Sequence, residues 1–152
     1  MRPKIYLAGR MSGLKLEEAL EWRNRFIHEY CKHCESIPDI FNPPMYYNYS
    51  MDEDSYTDME AFRFDLRRLK HSELVIVNLD GAQESVGTCQ ELMAAYLNDI
   101  PVLAFHESAN REDVLEHTHP WLLEEIDRIF TGDMAIKQMA SYVYSYYGST
   151  LL

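Results

Sequence analysis

The chain has no apolar stretch long enough to cross a bilayer, and residues 1–10 lack the charged, apolar and small-residue layout of a secretory signal. Neither a helical membrane protein nor an exported one is expected, which makes the cytoplasm the expected location. Cysteine is sparse. The three cysteines cannot all pair, and 152 residues can bury a core without covalent staples, so reduced thiols are the default. Positive charge is short as well: 14 lysines and arginines stand against 25 acidic residues, a net charge of -11. That balance disfavours polymeric nucleic acid as a partner, because such binding needs a basic face. It leaves room for a small nucleotide, since backbone N–H groups and helix N-termini hold phosphate with little help from lysine. Internal repeats and linkers are missing too, so residues 1–152 read as one domain.

What is present is an alternation of strands and helices. Residues 74–77 (LVIV) form an apolar run without alternation, as expected of a strand covered on both faces. Asp80-Gly81 ends it, and Gly87 and Thr88 open a helix with Cys89, Leu92, Met93, Tyr96 and Leu97 at helical spacing. Residues 4–8 (KIYLA) make a first strand, followed by the turn Gly9 to Gly13. A helix then carries Leu16, Ala19, Leu20, Arg23, Phe26, Ile27, Tyr30, Cys31 and Cys34 at intervals of three and four. A second strand over residues 36–41 contains Pro38, which suits a sheet edge.

Residues 45–57 form a long polar loop rich in tyrosine (Tyr46, Tyr47, Tyr49, Tyr56), and loops of such length are often functional. Asp58 then caps a helix with the stripe Met59, Phe62, Leu66 and Leu69. Residues 100–105 make a fourth strand. Beyond Phe105 the pattern gives a surface excursion at 107–113, a short helix at 121–126 and a fifth strand at 128–131. The last helix covers 134–147, with Ile136, Met139, Ala140 and Val143 inward. This order is that of a parallel α/β sheet with right-handed crossovers.

Several side chains invite chemistry. Glu91 stands near the start of a helix that follows a buried strand, where open parallel sheets place their sites. Its plain alternative is a capping box, Thr88-Cys89-Gln90-Glu91. Asp65 lies at or beside the buried stripe of its helix. A carboxylate there is desolvated and suits a proton donor, unless it pairs with Arg63, Arg67 or Arg68. Tyr6, in the first strand, reads equally as core packing, and Ser85 as turn chemistry. Ser12, Gly9 and Gly13 could hold a phosphate, although Gly9-x-x-x-Gly13 is neither a P-loop nor a dinucleotide fingerprint.

No metal site is expected. Cys31-x-x-Cys34, with His28 and His33, falls on an apolar stripe where thiols are ordinary small core residues. His117-x-His119 lies in a loop, and Asp52-Glu53-Asp54 lacks the glycine and terminal glutamate of a calcium loop.

Taken together, residues 5–9 (IYLAG), Asp65, the Asp80-Gly81 strand end and Ser85-x-Gly87-Thr88-x-x-Glu91 resemble the nucleoside 2-deoxyribosyltransferase family. The superfamily includes the 2'-deoxynucleoside 5'-monophosphate N-hydrolases. The resemblance covers residues 4–105. It implies a Rossmann-like, flavodoxin-like sheet of about five strands in the order 2-1-3-4-5, with the ligand crevice between strands one and three. It assigns the nucleophile to Glu91, an orienting hydroxyl to Tyr6 and the handling of the leaving base to Asp65. Substrate contacts fall on Ser85, Gly9, Ser12, Gly13, Asp80 and Gly87. Where the transferases have an aspartate at the sugar's 5' end this chain has Ser85, as the monophosphate hydrolases do; a hydroxyl donates to phosphate and a carboxylate repels it.

The implied reaction is cleavage of an N-glycosidic bond through a glycosyl-glutamate, with transfer to a second base or to water and without a cofactor. The resemblance and the tyrosine-rich surface also predict a homo-oligomer, a dimer or larger. The competing expectation is a non-catalytic nucleotide-binding or adaptor protein of the same fold.

Overall fold

Four short runs of β-branched and aliphatic residues, and a two-residue edge strand, build the sheet. The computed structural model describes residues 2–46 and 57–148. Its strands are β1 (Ile5–Ala8), β2 (Ile40–Phe41), β3 (Leu74–Asn78), β4 (Val102–His106) and β5 (Arg128–Thr131), all parallel, in the order β2-β1-β3-β4-β5. The expected order and the reversal between β1 and β3 are both present. β1 and the first four residues of β3 are fully buried, which is why they carry no polar alternation. In register, Tyr6 lies opposite Val75 and Ala8 opposite Val77.

Helices cover both faces. α1 (Leu16–Cys31) and α6 (Ala135–Tyr142) pack Trp22, Phe26, Tyr30, Ile136 and Met139 against Ile5, Leu7, Ile76 and Phe105. α2 (Asp58–Lys70), α3 (Val86–Leu97), α4 (Arg111–His117) and α5 (Pro120–Glu124) cover the other face. They bring Leu69, Leu92, Ala95, Val114 and Leu122 onto Tyr6, Ala8, Val75, Val77 and Ala104. Tyr6 therefore points into the α2–α3 layer. No helix among the described residues is long and apolar enough to cross a membrane.

Several sequence expectations shift. The second strand is only Ile40–Phe41, because the chain before it joins β1 through single contacts such as Ile5 N to Asp39 O at 2.9 Å. Thr57, not Asp58, caps α2, its hydroxyl accepting from Glu60 N at 3.1 Å. The excursion at 107–113 contains the start of α4, a helix with one buried residue, Val114, and so no readable period. The last helix passes into a π-helical turn at Val143–Tyr147, while its expected inward residues are all buried. Cys34 lies past the end of α1 and Cys31 is exposed, so the stripe ends earlier than its spacing implied; all three cysteines are unpaired. His28, Cys31, His33 and Cys34 do not converge as a ligand set among the described residues. His119 serves as the N-cap of α5. Tyr47, Tyr49, Tyr56 and Asp52-Glu53-Asp54 fall outside the described residues.

Candidate active site

α3 decides where Glu91 goes. Its apolar residues run all the way round, and the buried ones are Leu92 and Ala95, together with Thr88. Met93, Tyr96 and Leu97 are 39%, 57% and 70% exposed, so the inward face is rotated away from the stripe that spacing alone selects. On this rotated face Glu91, three residues after Thr88 and four before Ala95, is carried inward.

The capping box is not formed. Ser85 is the N-cap, its Oγ accepting from Thr88 N at 3.4 Å and from Thr88 Oγ1 at 2.9 Å. Glu91 therefore stands in the second turn, with no capping duty. It is half-buried as a residue, its Oε2 is sealed from solvent, and no hydrogen-bond partner for that oxygen lies among the described residues. Burial, and after it the charge of Asp65, push the Glu91 carboxyl up to about 8, while the Arg23 guanidinium pulls the other way.

Asp65 reaches the same place from α2. The expected stripe of that helix is rotated as well: Met59 and Phe62 are exposed, Leu69 is buried, and Ala61, Asp65 and Leu66 are half-buried. α2 packs against α3, which sets the two carboxylates within each other's field.

Arg23 is the site residue that sequence reasoning placed on the α1 stripe without giving it a task. It is fully buried, lies with its guanidinium 4.6 Å from the Trp22 ring centre, and donates to Ala19 O and, at 3.0 Å, to Gly9 O. Gly9 immediately follows β1, so Arg23 comes from the α1 layer to the carboxyl edge of the sheet, where it meets the field of Glu91 on the other layer. Gly9 is itself buried, and a Cβ there would meet Trp22 Cζ2 at 3.0 Å. An arginine at a helical core spacing was the available signal, and such residues usually read as amphipathic rims.

Tyr6 is buried in β1 and stacks on Phe41 at 5.3 Å. Phe41 continues into an aromatic wall with Tyr46 at 4.6 Å and Phe64 at 5.7 Å, and the Arg68 guanidinium lies 5.1 Å from the Phe41 ring centre. Tyr46 and Phe64 are half-exposed, giving flat apolar surface beside Tyr6. The turn after β1 presents Ser12 and Gly13 at the surface, with Arg10 Nε donating to Ser12 O at 3.1 Å. Asp80 is exposed, its N–H held by Asn78 Oδ1 at 3.0 Å. Gly87 is exposed in the first turn of α3, with open space where a Cβ would stand.

The strand order, the parallel sheet and its two helical layers define a single-domain Rossmann-like α/β protein, with its polar crevice at the β1–β3 switch point. No protein-family model matches the chain. No curated protein matches it either. Among solved structures it is similar to a conserved protein from Enterococcus faecalis V583, with a TM-score of 0.68 and 20% identity over 91% of this chain and 99% of that one. It is similar also to a 2-deoxyribosyltransferase from the psychrotolerant bacterium Bacillus psychrosaccharolyticus. There the TM-score is 0.63, with 16% identity over 88% of this chain and 89% of the other. At these identities the likeness is one of fold.

Proposed function

We propose that the protein cleaves the N-glycosidic bond of a 2'-deoxynucleoside or of its 5'-monophosphate, passing the deoxyribosyl group to another base or to water. One observation carries the reading: the buried Glu91 carboxylate, free of any capping role, lies in the field of a second carboxylate, Asp65, from a separate helix. The likeness of fold to a 2-deoxyribosyltransferase supports the same reaction class.

Two carboxylates so close favour holding one proton between them. Arg23 favours the form in which Glu91 carries the charge, leaving the proton on Asp65. Glu91 then attacks C1' of the sugar. The bond from C1' to the base nitrogen breaks with its electron pair on the base, and Asp65 supplies the proton to the departing ring. Water or a second base next attacks C1' of the glycosyl ester, returns the electron pair to Glu91 and gives its proton to Asp65. Tyr6 orients Glu91, and the Phe41–Tyr46–Phe64 wall offers a stacking surface for the base. Ser85, Ser12, Gly9, Gly13, Asp80 and Gly87 form the sugar and 5' end of the pocket. No cofactor takes part in these steps.

Self-association belongs to the same reading. Met93 and Leu97 of α3, with Met59 and Phe62 of α2, are exposed apolar residues, and a homodimer or larger assembly would cover them. A cytoplasmic location agrees with three unpaired cysteines.

The test is incubation of purified protein with panels of deoxynucleosides and deoxynucleoside 5'-monophosphates, with and without an acceptor base, following free and exchanged base. Product that disappears in Glu91→Ala supports the mechanism. Undiminished turnover in that variant refutes it. Substrate-induced thermal stabilisation without any product would instead identify a nucleotide-binding protein.

A further inference from the structure

The turn that follows β1 holds a cation in an unusual setting. Arg10 lies one residue past Gly9, and its side chain crosses to the turn that follows β3. A Cβ on Gly81 would meet Arg10 Cδ at 2.9 Å and Nη1 at 3.7 Å, and a Cβ on Gly13 would meet Nη2 at 3.3 Å. Both glycines have positive φ, 79° at Gly13 and 73° at Gly81. Two turns are thus cut back around one arginine, and Arg10 Nε is tied to Ser12 O at 3.1 Å. Its guanidinium is held between the two sides of the β1–β3 crevice.

This cation faces no carboxylate. The ion pairs among the described residues involve Arg25 with Glu21 and Glu107, and Lys32 with Glu29. In a chain with 25 acidic residues and a net charge of -11, a fixed arginine without an acidic partner is out of pattern. Ser85, four residues after Gly81, supplies a second donor. It is only 7% exposed, and its Oγ already accepts from Thr88 N and Thr88 Oγ1, which leaves its own O–H to give.

We infer that Arg10, with the Ser85 hydroxyl, selects a substrate carrying a phosphate monoester at the 5' end of the sugar. The inference rests on the reading of this crevice proposed above and narrows it to nucleotides. A dianionic phosphate takes both the forked N–H donors of a guanidinium and a hydroxyl, whereas a neutral 5'-hydroxyl cannot draw on the charge. The open first turn of α3 adds its amide dipoles to the same end of the pocket.

The experiment compares kcat/KM for a deoxynucleoside and its own 5'-monophosphate in wild type, Arg10→Met and Arg10→Lys. Methionine keeps the aliphatic packing on Gly81, and lysine keeps the charge. The wild type should prefer the monophosphate. In Arg10→Met that preference should shrink by about ten- to hundredfold, mainly through KM, as removal of a charge-assisted contact predicts, and Arg10→Lys should restore part of it. A wild type indifferent to the phosphate overturns the inference, as does an Arg10→Met protein that loses both substrates in equal proportion. Calorimetric titration of the Glu91→Gln protein separates this outcome from failure of the catalytic reading. Monophosphate bound at least about tenfold tighter than nucleoside, with inorganic phosphate competing, upholds the Arg10 assignment even if no glycosidic turnover exists. Binding without that difference, or no binding, sinks it.

Discussion

Asp65 on α2 and Glu91 on α3 hold two carboxylates near enough that the charge of the first makes ionisation of the second harder. Burial of Glu91 acts in the same direction and is the larger influence, while Arg23 opposes both. Such a pair works with one proton on board, and a pH–rate profile reads this directly. kcat/KM should be bell-shaped, falling on the acid side when both groups are protonated and on the alkaline side near pH 8, as the last proton leaves. Asp65→Asn should abolish the alkaline limb and lower kcat by about 10²–10⁴-fold, with the greatest loss for the poorest leaving bases. An alkaline limb that persists in Asp65→Asn would rule out the shared proton.

The same titration bears on stability. Glu91 moves from an ordinary value of 4.5 to about 8 on folding, so the native state binds the extra proton between those limits. Stability from this group is complete below pH 4.5 and is lost as pH rises through 8. Glu91→Gln removes that loss. At pH 8 and above the variant should exceed wild type by roughly 2–4 kcal/mol, and the gap should close as pH falls toward 4.5. Urea unfolding at pH 4.5, 6 and 8 measures it; a gap that does not change with pH contradicts the assignment.

Arg23 joins the α1 layer to the site through Gly9 O. Arg23→Gln should raise the acid limb of the pH–rate profile, because Glu91 loses the cation that favours its charged form. It should also cost about 3–5 kcal/mol, since buried carbonyl groups lose their donor. Arg23→Lys, which keeps the charge, should return the acid limb toward its original position even where stability stays low. Unchanged profiles in folded samples of both variants would remove Arg23 from the site.

Ser85 has two tasks that substitution can divide. Ser85→Ala deletes the N-cap of α3 and should lower stability by about 1 kcal/mol. Ser85→Asp keeps a capping oxygen but places a carboxylate at the 5' end of the pocket. It should hold Tm close to wild type while selectively weakening the monophosphate. Equal losses on nucleoside and monophosphate would reduce Ser85 to a cap.

The sheet was legible because its central strands are short, wholly buried apolar runs, and residues 128–131 were delimited as they stand in β5. Asp65 was legible because a carboxylate at a core spacing is conspicuous. The face of α3 was not. Met93, Tyr96 and Leu97 are apolar and exposed, so hydrophobic spacing pointed to the wrong side, and the Thr88 capping box competed with a Ser85 cap equally consistent with the letters. Arg23 was missed for a related reason: periodicity shows that a residue faces inward, not that its charged end crosses the sheet to serve another element. α4 left almost no mark, because a helix with only Val114 buried has no stripe. Thr57 in place of Asp58 at the cap of α2 is the one-residue uncertainty usual at helix ends.

All five strands run the same way, so every residue proposed for chemistry belongs to one rim of the sheet. The opposite rim carries the α3–β4 turn, where Asp99 is held at φ 56°, the one non-glycine residue with positive φ among those described. Asp99→Gly should gain about 0.5–1 kcal/mol, read as a rise in Tm with kcat unmoved. Hardening the protein, tethering it to a support or attaching a label can therefore be done from that side, where robustness need not be traded against turnover.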